Sequence, residues 1–544
     1  MKNKYSSTRN ITCITALILM MSCSKLKDRN YSNIVSNDFV PTSSDIASLT
    51  GSGYAYWRPL MLGRSNNSIF RTNEISSDET VIPARPNGWV DGGIYRRMHE
   101  HKWTPDEANC TQIWNQAYGG ITSCNRLIYQ MESGLIPVGA EKEATIAELR
   151  VLRASFYYAL CDFFGNVPIV TKFDLPAGFL PDQSTRTGVY NFIVQEITES
   201  MPLLSSKNDQ STYGRFNKGA ANALLAKVYL QSSVYTGTPA WDKCIQVCNT
   251  IINSGSYSLE SNQSNVFVTE NQNSKEIIFA IPFDEKFTPD GLTAFCIHRE
   301  TFQPENQATY NFKTSPLGGI CAVPQFVSTF NTDDSRFKTT WIQGPQYSSD
   351  GSVLICTLGA FKGRPLTYLN DLPGIVSSEE VHGYRLGKFQ YKQGALIGLS
   401  NDWPLFRYAD VLMMKAECLL RTGDASGAAS LVTQVRQRGF TASPAKAVVT
   451  GAELMQASSY DYGLRNHFTT THEGGADITY GRFLDELGWE FALEGRRRQD
   501  LIRFGVFTKK SWLSHSPNGD HRTLLPLPRV ELEKNSHLKQ NPGY

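Results

Sequence analysis

The chain has 544 residues, of which 53 are basic and 51 acidic, so its formal net charge at pH 7 is only +2. This balance argues against a nucleic-acid-binding protein, which would carry a strongly basic face. Hydrophobic residues make up 41% of the chain, enough for a large core. Beyond the N-terminal segment, no apolar run reaches the length that a membrane-spanning helix needs.

The N-terminus has the composition of a bacterial lipoprotein signal. Basic residues precede an apolar stretch at 11–21, which is too short to span a membrane but suits the core of a signal peptide. Ser22 and Cys23 then match a cleavage site at which the cysteine becomes the acylated first residue. We therefore predict a signal peptide at 1–22, a lipid anchor on Cys23 and a flexible tether at 23–40. The alternative is an ordinary secretory signal with an incidental cysteine.

The other cysteines do not form the pattern of a disulfide framework. Once Cys13 and Cys23 are set aside, nine of the 11 remain, an odd number without paired spacing. Cys244 and Cys248 lie four residues apart on a predicted helix, but no second pair completes a zinc site. We expect most of the cysteines to be small buried apolar residues.

Helical periodicity dominates both ends of the chain. In 141–164, apolar residues recur at spacings of three and four around Arg153, and Gly165 and Pro168 end the pattern. The same signal predicts further helices at 41–62, 190–204, 218–233, 241–254, 407–421 and 425–438. Their alternation of small and large residues resembles tetratricopeptide units, which bury their apolar faces by stacking on one another.

Loops interrupt this helical pattern in two places. Residues 74–93 are rich in Pro, Gly and Asp, which predicts a long ordered loop. Residues 276–282 indicate a strand, and many Gly, Pro, Asn and Thr residues separate short apolar runs after it. A loop-rich insertion of this size is where binding surfaces usually lie.

These patterns predict a mainly α fold. We interpret 41–544 as a single domain with a tetratricopeptide-like scaffold of helical hairpins at about 41–258 and 401–544. The loop-rich insertion, with its short strands, occupies about 259–400.

Six stretches of the sequence carry a resemblance to a known family. They lie at 74–105 (EISSDE, then GWVDGGIYRRMHEHKWTP), 147–171 (AELRVLRASFYYALCDFFGNVPIVT), 214–230 (GRFNKGAANALLAKVYL), 401–423 (NDWPLFRYADVLMMKAECLLRTG), 489–505 (WEFALEGRRRQDLIRFG) and 524–544 (LLPLPRVELEKNSHLKQNPGY). They occur in one order along nearly the whole mature chain. In these stretches the chain resembles the RagB/SusD-type outer-membrane lipoproteins of Bacteroidota.

The residues of these stretches are interpreted as determinants of the fold. Arg153, Arg407 and Glu494 lie within apolar helical patterns, and a buried charge persists only when it is paired. The prolines at 525–528 hold that run extended, which predicts that the C-terminus folds back over the scaffold. Function is therefore expected in the loops between the matching stretches.

The resemblance implies a lipid-anchored, cell-surface protein of the outer membrane. It implies binding of a glycan without catalysis and delivery of that glycan to a SusC-like TonB-dependent transporter. The expected partners are the glycan, the transporter and the membrane, with no nucleic acid and no cofactor, although a structural calcium ion among the loop aspartates is left open. A peptide or another nutrient is the alternative ligand within the same family.

A glycoside hydrolase is a more distant alternative. Such an enzyme needs two carboxylates about 5–10 Å apart, and the sequence nominates no pair among its 51 acidic residues. The sequence contains no HExxH motif, no GxSxG nucleophile elbow and no Gly-rich phosphate loop. We therefore assign no catalytic residue and no metal ligand.

Candidate ligand contacts follow from the shape of a sugar ring. Aromatic side chains stack on its flat C–H face, while polar neighbours bond its hydroxyl groups. Arg85, Asn87 and Trp89 form such a set on the first long loop, which contributes to the binding platform in the family that the chain resembles. Tyr310 and Trp341 are the candidates within the insertion.

Each candidate also has a structural alternative. The aromatic rings suit a hydrophobic core as well as a ligand surface. Lys388 and Arg364 are interpreted as solvated surface charges rather than as ligand contacts. His99 and His101 lie two residues apart, and we interpret them as structural or exposed imidazoles, since a metal would need further ligands.

Overall fold

The computed structural model of the chain describes residues 42–63, 67–87, 89–288 and 294–544. The predicted signal peptide, the Cys23 anchor and the tether all lie outside these residues, so they stay predictions. Within the described part, no helix is both long and apolar enough to cross a membrane.

Helices form most of the scaffold, as the sequence predicts. In chain order they are α1 (Ser43–Tyr54), α2 (Trp57–Leu62), α3 (Ile69–Ile75), α4 (Ile94–His99), α5 (Ala108–Glu132), α6 (Lys142–Phe163), α7 (Arg186–Ser200), α8 (Lys218–Leu230), α9 (Ser232–Thr236), α10 (Trp241–Asn253), α11 (Ile297–Thr301), α12 (Gln307–Tyr310), α13 (Pro324–Val327), α14 (Ser335–Thr340), α15 (Tyr408–Arg421), α16 (Ala425–Gln437), α17 (Gly451–Leu454), α18 (Gly481–Phe491), α19 (Arg497–Arg503) and α20 (Arg529–Lys534). The helix predicted at 41–62 is two helices, because Pro59 has no amide hydrogen with which to continue α1 and is tolerated only in the first turn of α2.

The long helices stack side by side. Helix α5 packs on α6 and α6 on α7, while α8 packs on α10, α10 on α15 and α15 on α16. Glycines allow the closest approach, since a Cβ added at Gly120 of α5 would lie 2.4 Å from the ring of Phe156 in α6. This arrangement confirms the predicted scaffold of stacked helical hairpins.

Short strands pair two by two in the described residues. They are β1 (Thr80–Val81), β2 (Val167–Pro168), β3 (Gln183–Ser184), β4 (Ile277–Ile281), β5 (Cys321–Ala322), β6 (Trp341–Ile342), β7 (Gly344–Pro345), β8 (Thr367–Tyr368), β9 (Arg385–Leu386) and β10 (Trp403–Arg407). The antiparallel pairs are β1–β5, β2–β3, β4–β10, β6–β9 and β7–β8. Strand β4 confirms the strand predicted at 276–282, and its partner β10 leads directly into α15.

A buried network of charges lies where β10 meets the scaffold. The Arg407 guanidinium is 0% exposed and donates to Glu276 at 2.8 Å, to Glu490 at 2.7 Å and to Glu494 at 2.7 Å. Burial alone would raise the pKa of Glu490, but Arg438, Arg407 and other nearby cations hold it well below its usual value. This confirms that Arg407 and Glu494 help to fix the fold.

The same network fastens the insertion to the scaffold. Arg336 in α14 donates to Glu490 at 2.9 Å, and Lys388 donates to Glu494 at 2.5 Å. Lys388 is 4% exposed and also donates to the carbonyl oxygens of Glu490 and Ala492, so its interpretation as a surface charge is wrong. A lysine persists in the interior because these acceptors satisfy its ammonium group.

Two further predictions about the fold are confirmed. Arg153 is buried and pairs with Glu196 of α7 at 2.9 Å. The C-terminus folds back over the scaffold, since the amide of Leu525 donates to the Phe163 carbonyl at 2.7 Å and the Leu525 side chain is fully buried.

The described cysteines are all free and buried, which confirms their interpretation as small apolar residues. They are Cys110, Cys124, Cys161, Cys244, Cys248, Cys296, Cys321, Cys356 and Cys418. Burial raises the pKa of Cys124 to about 12, so that thiol stays protonated at neutral pH.

Three histidines form a buried cluster. The His101 ring lies 4.1 Å from the rings of both His515 and Phe507, centroid to centroid. A His101 ring nitrogen lies 2.7 Å from the Ser76 carbonyl oxygen, and one on His99 lies 3.1 Å from the Ile75 carbonyl oxygen. His99 and His101 are therefore structural imidazoles. Among the described residues, no group of three His, Cys, Asp or Glu side chains is arranged to hold a metal ion.

The buried His101 predicts a loss of stability in mild acid. Burial lowers its pKa to about 3, so below about pH 6.5 the unfolded chain binds a proton that the folded chain excludes. Between pH 7 and pH 5 this one group should lower the free energy of unfolding by about 2 kcal/mol. In urea titrations, His101→Asn should lose about 2 kcal/mol less than the wild type over that interval. Equal losses in the two proteins would contradict the prediction.

Candidate functional site

The first long loop is held against the insertion by backbone hydrogen bonds. The Ala84 amide donates to the Ile375 carbonyl at 2.9 Å, and the Ser378 amide donates to the Ala84 carbonyl at 2.9 Å. We call residues 84–90 the Trp89 loop; Gly88 within it lies outside the described residues. The loop is therefore positioned by main-chain pairing rather than left free at the surface.

The buried side chain of Arg85 anchors this loop to the protein interior. It donates to the carbonyl oxygens of Glu379 and His382, and to the Cys321 sulfur at 3.1 Å. Burial lowers the pKa of Arg85 to about 10. Its predicted contact with a ligand is wrong, because the guanidinium is occupied inside the protein.

Asn87 and Trp89 lie at the surface end of the loop. The Asn87 amide group donates to the Leu317 carbonyl at 2.6 Å and accepts from the Trp89 backbone amide at 3.3 Å. The indole nitrogen of Trp89 donates to Asp91 at 2.9 Å, and the same carboxylate accepts from the Tyr95 hydroxyl at 2.7 Å. These bonds fix the orientation of the indole.

The Trp89 indole is partly buried and packs on a glycine. A Cβ added at Gly319 would lie 1.7 Å from the ring, so only glycine allows the indole to occupy this place. The Tyr95 ring meets the indole edge-on at a centroid distance of 5.3 Å. The rest of the indole lines a surface cavity of about 210 Å³.

This cavity is largely apolar. Trp89 shares its lining with Ile82 and Ile375, and with Val90 and Val376, which are 43% and 52% exposed. We call this surface the Trp89 platform. Apolar surface with a polar group in its lining, here Arg96, suits a ligand with an apolar face and polar substituents.

The two candidates within the insertion differ in exposure. Tyr310 is partly buried and stacks on Phe312 at a centroid distance of 5.0 Å, and burial raises its pKa to about 12. Trp341 is 1% exposed and packs near Phe326 and Phe330, so its predicted contact with a ligand is wrong. The structure does not place either residue in the lining of the Trp89 cavity.

Sequence analysis missed the exposed apolar residues of the insertion. Among the described residues they are Phe287, Leu317, Tyr347, Val353, Ile355, Leu358, Leu369, Val376 and Leu396. The signal was available at 353–356, where buried Leu354 and Cys356 alternate with exposed Val353 and Ile355 as on a strand with two apolar faces.

Comparison with known proteins identifies the family. A model described as the SusD family matches residues 275–523, and a model described as starch-binding associating with outer membrane matches residues 59–230. Together these two matches cover most of the chain. The chain belongs to the SusD family. The resemblance predicted from its sequence is therefore confirmed.

Individual members of the SusD family match along most of their length. The starch-binding protein SusD from Bacteroides thetaiotaomicron is 25% identical over 517 residues, covering 88% of this chain and 85% of that protein. SusD-like protein P25 from Formosa agariphila is 22% identical, and the match covers 80% of each chain.

Solved structures of the SusD family share the fold. Surface glycan-binding protein A from Bacteroides thetaiotaomicron, in complex with laminarihexaose, aligns with a TM-score of 0.68 at 18% identity over 92% of this chain and 100% of that chain. A SusD-like protein from Bacteroides fragilis aligns with a TM-score of 0.68 at 20% identity over 92% of this chain and 97% of that chain. These likenesses confirm the helical architecture.

Proposed function

We propose that this SusD family protein captures a glycan at the cell surface and delivers it to a SusC-like TonB-dependent transporter without cleaving it. The ligand is an oligosaccharide or polysaccharide, and the protein is held in the outer membrane by a lipid on Cys23. The glycan binds on the Trp89 platform, with Asn87 beside it and Tyr310 as a further candidate contact.

The fixed indole of Trp89 is the observation that carries this proposal. Hydrogen bonds to Asp91 and from the backbone to Asn87 hold it beside an apolar cavity, so little conformational entropy is lost when a ring packs on it. The names of two similar proteins support a carbohydrate ligand, one a starch-binding protein and the other bound to laminarihexaose.

Affinity electrophoresis tests the proposal. Gels that each contain one polysaccharide should retard the mature chain with at least one of them, and chromatography of the same mixtures should show no released product. Copurification with a large outer-membrane β-barrel would support delivery to a transporter. A protein that no glycan retards, or one that releases oligosaccharides, would contradict the proposed function.

A glycine substitution tests the role of the indole without removing it. Gly319→Ala would place a Cβ 1.7 Å from the Trp89 ring and force the ring to move. We expect at least about threefold weaker glycan binding and a changed tryptophan fluorescence spectrum in an otherwise folded protein. Gly51→Ala is the control, since its Cβ would have no neighbour within 4 Å. If Gly319→Ala bound the glycan with unchanged affinity, the position of the Trp89 indole would not matter for binding, which would contradict the prediction.

A further inference from the structure

A second surface cavity is lined by the same segment that borders the Trp89 platform. Asp371 and Leu372 line this cavity of about 440 Å³, whereas Ile375 and Val376 line the Trp89 cavity. Five residue steps separate Asp371 from Val376, so their Cα atoms lie at most about 18 Å apart. We call the second cavity the Asp371 groove. Its other wall carries Asp461 and Arg465.

The polar side chains of the groove are only partly satisfied by the protein. Arg465 donates to the Asp461 carboxylate at 2.6 Å, and Gln325 donates to the Asp461 carbonyl at 2.7 Å. The side-chain oxygen of Gln325 is buried without a hydrogen-bond partner. The Asp371 carboxylate is exposed and makes no side-chain hydrogen bond or salt bridge with another described residue, although it lies close enough to His382 to interact with that ring electrostatically. The groove therefore offers one accessible acceptor, Asp371, which matches a hydroxyl donor.

A rigid hairpin tip presents an aromatic ring beside the groove. Phe468 is 98% exposed, and it follows Arg465 by three residues. The tip is fixed, since the Asn466 side chain accepts from the amides of Phe468 at 3.1 Å and Thr469 at 2.9 Å. The two arms of the hairpin are joined by a hydrogen bond in which the Thr471 amide donates to the Leu464 carbonyl at 2.9 Å.

The hairpin tip packs against the same segment that lines the groove. A Cβ added at Gly374 would lie 3.1 Å from the His467 ring, and Gly374 is two residues from Leu372. The backbone that carries Phe468 is thus fixed close to the segment that lines the groove, and the 98% exposed Phe468 ring lies in solvent. A ring on a mobile loop would lose more conformational entropy on binding than one on this fixed turn.

We propose that the Asp371 groove and the Phe468 ring form a second carbohydrate site, distinct from the Trp89 platform and specific for neutral sugars. This inference rests on the proposed function. Sugar hydroxyls donate to the exposed Asp371 carboxylate, and a pyranose face packs on Phe468. The described lining of the groove carries two carboxylates, Asp371 and Asp461, and one cation, Arg465, which is paired with Asp461, so its net negative charge disfavours uronic acids and sulfated sugars.

Two sites lined by neighbouring parts of one segment would favour long glycans. A polysaccharide that engages both sites binds the second one intramolecularly, so its apparent affinity exceeds that of an oligosaccharide confined to one site. The short segment between the sites keeps the separation within reach of a single chain.

The test removes the Trp89 platform by mutation and then measures whether the Asp371 groove and Phe468 still bind glycan. In gels containing starch, laminarin, xylan or galactomannan, Trp89→Ala should still be retarded by the neutral glycan that retards the wild type. Adding Phe468→Ala or Asp371→Ala to that variant should weaken the remaining binding by about tenfold. Adding Phe287→Ala, a matched control in which the lost ring is 85% exposed elsewhere, should change nothing.

Three results would overturn the second site. Trp89→Ala alone could abolish all retardation, or the Phe468 and Asp371 substitutions could leave the remaining binding unchanged, and in both cases the proposed function would stand. A separate result would overturn only the specificity for neutral sugars: polygalacturonate retards the protein as strongly as the neutral glycan does, and this retardation depends on Asp371. A wild type that no neutral glycan retards would overturn the second site together with the Trp89 platform as a neutral-glycan site.

Discussion

Replacement of Arg407 by alanine should lower the free energy of unfolding by about 3–5 kcal/mol, a large share of the roughly 5–15 kcal/mol typical of folded domains. The substitution leaves Glu276, Glu490 and Glu494 in the interior without the cation that bonds all three. Arg336, Lys388 and Arg438 still pair with these carboxylates, but each carboxylate then bears its full desolvation cost with one cation fewer. Urea unfolding followed by circular dichroism would measure the change.

Arg529→Ala provides the matched control for that measurement. Arg529 pairs with Asp106 at 2.7 Å, but both side chains are more than half exposed. Solvent screens such a pair, so its removal should leave the unfolding midpoint close to that of the wild type. Similar stability in Arg407→Ala and Arg529→Ala would show that the buried network contributes little.

Replacement of Trp89 by alanine should weaken binding of the captured oligosaccharide by about tenfold or more. Removal of a well-fixed indole from a binding surface typically costs upwards of about 1.4 kcal/mol of binding free energy, which corresponds to that factor. The fold should persist, since the indole is partly exposed and the loop stays paired with 375–378. Isothermal titration with an oligosaccharide that fits a single site would measure the change.

Trp241→Ala is the control for this prediction. Trp241 is also partly buried, but it begins α10 of the scaffold and contacts Arg421 there. Its loss should leave the affinity for the oligosaccharide unchanged. If Trp89→Ala and Trp241→Ala bound equally well, the Trp89 platform would not be the site.

The scaffold could be predicted from the sequence because its signals are local. The periodicity at 141–164 gave helix α6 nearly to the residue, and the apolar run at 276–282 gave β4. Helix α5 was not predicted, since buried Asn109 and Asn125, together with Gly119 and Gly120, obscure its apolar face. The packed structure explains those glycines, because the rings of Tyr56 and Phe156 lie so close to them that a Cβ would not fit.

The site was harder to predict because it depends on which residues are buried. From the sequence, Arg85 was predicted as a ligand contact and Lys388 as a surface charge. Only the carbonyl groups that surround them in the fold explain their burial. Trp341 lies in a loop-rich segment but falls within the core. Asn87 and Trp89 were predicted from their residue types in a Pro- and Gly-rich loop, and the structure places them at the surface.

The buried network also explains how a loop-rich segment can hold a binding surface. Arg336 and Lys388 fasten the insertion to Glu490 and Glu494 of the scaffold. Loops fixed in this way lose less conformational entropy when a ligand binds.

A crystal structure of the mature chain with the oligosaccharide that electrophoresis identifies would test the central claim most directly. The account predicts an intact oligosaccharide with one sugar ring packed against the Trp89 indole and a hydroxyl within hydrogen-bonding distance of Asn87. A cleaved ligand, or an intact one bound only on the helical scaffold, would contradict it.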